Sequence, residues 1–359
     1  VSGLGPTPSQ RLQRAIVIAI SRVPAPLLRL VTRPPRNRDG ARMAPDVALL
    51  MAITASGDDY SDMSPADARR STEGEAALFG ERVRPCVVEE ELDLGDGLLA
   101  TRLSDGRSND ALILFFHGGG FVLGSRSSYL APARLLAQGT GADVVSVEYR
   151  LAPEDPFPAC HEDAITAWRY LVEHARRWGV DPRRIAVAGE SAGGNIAAVL
   201  SQVLRDDDVR PVLQVLIQPV TDISVHRASQ DEFSASPALS AKQVDWFMKH
   251  YLPEGTDHRD PRVSPLLADD LTGLPPAIVA VGGFDPLRDD GLAYATSLLK
   301  SGVPVRVVEE PDNVHGYIAF TALSPTSKRA TQRLAEAIKT GLAGSTGVGS
   351  AGPTTRGGR

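Results

Sequence analysis

The pentapeptide Gly189-Glu190-Ser191-Ala192-Gly193 stands between the apolar run 185–188 and an Ala-rich stretch that continues to about residue 205. Where a buried strand turns sharply into a helix, small residues must flank the serine, and the turn holds its hydroxyl exposed. A serine hydroxyl is a weak nucleophile and needs a base within hydrogen-bond reach. Seven histidines are available. His117 belongs to a glycine loop, and His161, His174, His226, His250 and His258 fall in or near expected helices or an inserted segment. His315, in "EEPDNVHGYIAF", lies just past the last strand signal and ahead of the final helix, which makes it the base candidate.

A third group must orient that imidazole and stabilise its cation. In "AIVAVGGFDPLRDDG", Asp285 ends a strand and Pro286 suits a first helical position. Asp289 and Asp290 fall in the following helical turn, where a carboxylate favours the helix dipole without further duty. Asp312 remains a rival, on the same loop as His315. The order Ser191, Asp285, His315 is the chain order of a nucleophile-elbow hydrolase.

The stretch "LFFHGGGFVLG" places three glycines after an apolar run. Each costs roughly 0.5–1 kcal/mol against Ala in an ordered element, so backbone is being brought close to something. No Lys-Ser/Thr follows, and no GxGxxG opens a helix, so phosphate and dinucleotide binding are unsupported. In acyl transfer the developing oxyanion needs preorganised N–H donors. Gly118 and Gly119 are expected to supply two, and Ala192 a third. His117, Gly120 and Glu190 are expected to brace the loop and the elbow.

Around these residues the chain alternates. Short β-branched runs at 87–94, 98–104, 111–116, 142–149, 185–190, 213–220, 277–283 and 305–310 read as eight strands, several apolar on both faces as in a parallel sheet. The first two, joined by "GDG", read as a hairpin. Helices are expected at roughly 129–138, 160–177, 193–205, 287–301 and 316–340. The fold class is α/β: a mostly parallel eight-stranded sheet, helices on both faces and a helical cap.

The cap has two sources. Residues 1–80 are helical and Pro-punctuated, and 222–260 interrupt the alternation with "DWFMKHYL". Both are expected over the strand ends where ligands bind in such sheets. The catalytic domain spans 81–342, and 343–359 form a Gly/Ser/Thr-rich tail expected to be disordered.

Bulk properties narrow the partners. A net charge of -6 argues against nucleic acid. Two cysteines, Cys86 and Cys160, have no metal or redox spacing, and free thiols in a cytoplasmic protein are the simplest reading. No metal or cofactor is called for. The start, "RLQRAIVIAISRVPAPLLRLVTR", has an uninterrupted apolar core of only 15–20, too short for a secretory signal or a membrane span. An amphipathic helix broken near Pro24 and Pro26 is expected, over the site or in weak peripheral contact with a membrane. Stable insertion is not expected, and a homodimer is left open.

Together "HGGGF", "YRLAPEDPFPA", "GESAGGN", "DPLRDDG" and "HGY" resemble the hormone-sensitive-lipase family of α/β-hydrolases, in its bacterial esterase branch, from about residue 40 to 340. The resemblance implies a carboxylester hydrolase with Ser191, Asp285 and His315 as triad, acting on a small-molecule ester. "YRLAPEDPFPA" is expected to be structural. Glu190 departs from the Asp that commonly precedes the family serine. Short- to medium-chain acyl esters are the expected substrates. Hydrolysis of arylacetamides or natural-product amides, and ligand binding without catalysis, are the alternatives.

Overall fold

Eight strands form one sheet in the order β1-β2-β4-β3-β5-β6-β7-β8. They are β1 (Val88–Asp93), β2 (Leu99–Ser104), β3 (Leu112–Phe116), β4 (Asp143–Val147), β5 (Ile185–Glu190), β6 (Gln214–Ile217), β7 (Ala277–Phe284) and β8 (Val305–Val314). The computed structural model describes residues 14–15, 18–20, 22–107 and 110–344. The β1–β2 and β2–β4 pairs are antiparallel, and every pair from β4 onward is parallel. All eight expected strands are present.

Strand alternation divides the core. In β3, Leu112, Leu114 and Phe116 join one buried cluster, and Ile113 and Phe115 the other. The first cluster packs under the helices Ala159–His174, Ala192–Val203 and Arg288–Lys300. The second packs under Leu130–Thr140 and Pro325–Gly344. Because each face buries its own set, a one-residue slip of β3 or β5 would exchange the two and lose both.

The final helix begins later than expected. Instead of a helix from 316, Gly316 sits at φ 72 and a short 3-10 turn covers Tyr317–Ala319. The helix starts at Pro325, where Ser324 Oγ accepts from Ser327 N at 3.0 Å. A serine cap followed by proline is a strong start signal, and it overrides the apolar periodicity of "YIAFTAL".

The N-terminal segment is fastened at both edges of the site. The helix Pro45–Thr54 buries Val47, Leu50 and Met51 in a third cluster with Phe284, Val314 and Leu323. Asp46 accepts from Ser324 Oγ, Thr326 N and Thr326 Oγ1 at 2.8–2.9 Å. The helix Pro65–Phe79 sends Arg69 to the carbonyls of Val122 and Ala152 at 2.7 and 2.6 Å. Between them Tyr60 meets Trp246 and Phe247 of the helix Ala241–Tyr251, with ring centroids 5.9 and 5.6 Å apart.

Residues 14–15 and 18–20 are helical, and a separate helix, Ala25–Thr32, follows Pro24. The chain is thus interrupted near the prolines, as the sequence suggests. The remaining expectations for the first thirteen residues and for the tail from 345 lie outside the described residues. Among the described residues no helix is long and apolar enough to cross a membrane. Cys86 and Cys160 are both buried and free.

Candidate active site

Ser191 stands where β5 turns into the helix Ala192–Val203, with φ 54 and ψ -115. A non-glycine residue at positive φ is strained, and the surroundings must hold it. Its backbone N–H donates to Ile217 O of β6 at 2.8 Å, and its carbonyl accepts from Asn195 N at 3.1 Å. A side chain on Gly189 would meet the Gly193 carbonyl, and one on Gly193 the Phe116 carbonyl. The small flanks are therefore a steric requirement of the turn.

His315 follows β8, and Asp285 follows β7. The Ser191 hydroxyl lies 3.0 Å from His315 Nε2, and His315 Nδ1 lies 2.9 Å from Asp285 Oδ1. An Nδ1–H donated to the carboxylate leaves Nε2 as acceptor for the serine proton. Asp285 is fully buried, and its Oδ1 also accepts from Leu287 N at 2.8 Å. Burial pulls the His315 pKa down, but the charge and hydrogen bond of Asp285, then the charge of Glu190, carry it above its ordinary value.

The rival residues go elsewhere. Asp289 takes Arg38, Arg288 and the Ser229 amide. Asp312 uses its carbonyl for Ala44 N, and burial raises its carboxyl. His161 meets Asn195, while His174 and His250 each face a carbonyl one helical turn back.

The three glycines each face a different obstacle. A side chain on Gly118 would run into Glu190 Oε2 and the Tyr129 hydroxyl; on Gly119, into the Leu123 carbonyl; on Gly120, into the Phe247 ring. Gly119 and Gly120 also adopt φ 117 and 59. Gly120, with Phe121 and Ser191, lines a pocket open to solvent, whereas Gly118 faces Tyr129 and Glu190. His117 stacks on Tyr149 at 4.3 Å, with Nδ1 2.8 Å from the Gly118 carbonyl, and burial lowers its pKa.

Glu190 points under the loop. Its Oε2 accepts from Tyr129 Oη at 2.8 Å, and its Oε1 lies 3.7 Å from His315 Nε2. Burial raises its own pKa, against the pull of His315 and Tyr129. "YRLAPEDPFPA" joins the glycine loop to the cap: Ala152 N donates to Phe121 O at 2.9 Å, and Phe157 N to Tyr251 O at 3.0 Å. Phe121 and Tyr251 stack at 3.8 Å.

One participant was not read from the sequence. Gln218, just after β6 and fully buried, donates through Nε2 to Asp285 Oδ2 at 2.6 Å and to Val314 O at 3.0 Å. Its Oε1 accepts from Gly316 N at 2.8 Å. One side chain thus ties the acid to the backbone on both sides of the base. Its φ of 48 is the local oddity, but nothing in "LIQPVTD" displays it.

A serine–imidazole–carboxylate relay at the ends of parallel strands beside a glycine loop defines a serine hydrolase of the α/β class. The model of the alpha/beta hydrolase fold matches residues 113–319. The carboxylesterase NlhH of Mycobacterium tuberculosis is 44% identical over 241 residues, covering 66% of this chain and 75% of that protein. An ethyl acetate hydrolase of Pseudomonas putida is 35% identical over 311 residues, covering 82% of this chain and 98% of that protein. The solved structure of ester-hydrolase EH1AB1, from the metagenome of Lake Arreo, matches with a TM-score of 0.79 at 33% identity. That match covers 84% of this chain and 99% of that one. The chain belongs to the α/β-hydrolase family, in its hormone-sensitive-lipase-like branch.

Proposed function

We propose that this chain is a serine carboxylester hydrolase acting on small-molecule esters of short to medium acyl chains. The observation that carries the reading is the unbroken series Ser191 Oγ, His315 Nε2, His315 Nδ1, Asp285 Oδ1, with links of 3.0 and 2.9 Å, opening on an apolar pocket. Ser191 attacks the ester carbonyl as His315 takes its proton, and Asp285 holds the imidazolium. His315 then protonates the leaving alkoxide and activates the water that releases the acid. The amide of Ala192 and those of Gly119 and Gly120 are the donors we assign to the oxyanion. The sequence alone points to Gly118 as a donor and Gly120 as a brace; the contacts of Gly118 with Tyr129 and Glu190 favour exchanging the two parts.

The two segments 1–80 and 222–260 act in this reading as a cap, since Tyr60 of the first packs on Phe247 of the second, which bears on Gly120. Two free cysteines suit a reducing compartment. Hydrolysis of p-nitrophenyl butanoate tests the reading, with a fluorophosphonate probe as the site label. The expected result is turnover, and a label on Ser191 that abolishes it. Labelling of another residue, or hydrolysis of anilides in preference to esters, would overturn it.

A further inference from the structure

The pocket beside Ser191 is apolar over most of its wall, with Phe121, Leu239, Phe247, Met248 and Leu287 facing it. Two polar side chains interrupt that wall, Gln230 and Asp290. Arg227 joins them. Its backbone N–H donates to Gln230 Oε1, and its Nε to Asp290 Oδ1, each at 2.7 Å. The same guanidinium also serves Asp222 Oδ2 at 2.7 Å.

One cation therefore faces two carboxylates, whose side chains are 3% and 1% exposed. Asp222 is otherwise satisfied, because its Oδ1 accepts from Ser224 N and Oγ. Asp290 is not: among the described residues its Oδ2 is buried without a hydrogen-bond partner. A buried acceptor left unpaired is costly, and a ligand donor that reaches it removes that cost. Burial pushes Asp290 up to about 7, against the pull of Arg227 and the nearby Thr221 amide. Gln230 uses its oxygen on Arg227, which leaves its NH2 group for a ligand.

We propose that this polar end is a subsite for a hydroxyl group on the substrate's acyl chain, which donates to Asp290 Oδ2 and accepts from Gln230. The enzyme then takes hydroxyacyl esters as readily as plain acyl esters of equal length. An ammonium group suits the site less, because Arg227 already occupies the other oxygen of Asp290 and the surrounding wall offers nothing to replace its hydration. This inference rests on the ester-hydrolase reading of the site. It also makes sense of Asp290 beyond its place in the first turn of the helix Arg288–Lys300, which alone would not require burial.

The test compares kcat/KM for ethyl hexanoate, ethyl 3-hydroxyhexanoate, ethyl 6-hydroxyhexanoate and ethyl 6-methoxyhexanoate, followed in a pH-stat well above pH 7, where Asp290 is ionised and Oδ2 accepts. A purely apolar pocket would reject an added hydroxyl by roughly 10²-fold. Here at least one hydroxy ester should match or exceed the parent, with the methyl ether, which cannot donate, about tenfold or more below it. In Asp290→Asn the Arg227 bond can keep Oδ1 and turn an NH2 to the pocket, from which hydroxyl and ether oxygens both accept, so the preference for the 6-hydroxy over the 6-methoxy ester should be lost. Gln230→Leu should reduce the hydroxy-to-parent ratio without reversing it. Reading ratios within each variant separates recognition from any loss of folded enzyme. A parent hydrolysed well with every hydroxy ester rejected, or an unchanged ratio in both variants, would overturn the subsite alone. A 6-aminohexanoate ester preferred over the hydroxy esters would overturn it in favour of a cation site. Failure to hydrolyse ethyl hexanoate at all would overturn the ester-hydrolase reading and this inference with it.

Discussion

Ser191 can give up its proton only while His315 Nε2 is free to receive it, so the state of one imidazole sets the pH range of activity. A raised His315 pKa means that kcat/KM falls, as pH drops, through a value above the ordinary imidazole 6.5. Glu190 Oε1, 3.7 Å from Nε2, favours the cation. Glu190→Gln should therefore move that limb to lower pH, and a pH profile of kcat/KM that stays in place would show Glu190 electrically silent. Asp285→Asn should lower kcat by roughly 10⁴-fold through the wrong tautomer, whereas Asp312→Asn should be mild. Gln218→Leu leaves Asp285 Oδ2 and the Gly316 amide unpaired. Displacement of the base by about 1 Å is enough for roughly a 10²-fold loss. The pH limb should move with it, which a merely structural role would not require. Rescue by Gln218→Glu is not expected, since a second carboxylate would face Asp285.

At the scale of elements, the glycine loop works through what its neighbours forbid. Gly119→Ala would drive a methyl into the Leu123 carbonyl, and the loop would have to shift away from the oxyanion. Loss of one donor costs roughly 10²–10³-fold in kcat, so Gly119→Ala should fall in that range with its circular dichroism intact. The strands and the elbow could be read from the chain because each rests on local pattern: β-branched runs for β3 to β8, and small residues around Ser191. His315 and Asp285 could be read because strand ends are where such a sheet presents side chains. Gln218 could not. Its part depends on Asp285, Val314 and Gly316, which lie 67 to 98 positions away in the chain. The late start of the last helix was written in Ser324-Pro325, but the apolar spacing ahead of it carried a stronger helical pattern.

For the whole molecule, substrate range follows from how the cap sits on the sheet. Phe247 stands over Gly120, and Tyr60 and Trp246 stand behind it, so the pocket has a wall rather than an open groove. Each buried CH₂ contributes about 0.8 kcal/mol until the chain meets that wall, and overpacking then costs on the order of 1–3 kcal/mol. On p-nitrophenyl esters from acetate to palmitate, kcat/KM should peak at about C4–C8. A maximum at palmitate that rises above the micellar threshold would mean that the wall moves aside. Phe247→Ala should shift the peak to longer chains.

The clasp between Asp46 and the start of the last helix bears on how the protein is made. Chains leave the ribosome N-terminus first, at about 5–20 residues per second. The helix Pro45–Thr54 emerges early with Val47, Leu50 and Met51 exposed, yet its partners are Phe284, Val314, Leu323, Ser324 and Thr326. For most of translation that apolar helix has only Ala25–Thr32 and Phe79 to lean on, without the partners that complete its cluster. The newborn chain should therefore depend on chaperones until Thr326 is out. Nascent chains arrested before residue 312 should be degraded or insoluble, and chains released after 344 should be active. Chaperone capture that ceases long before Phe284 emerges would mean the early helix finds a different resting place.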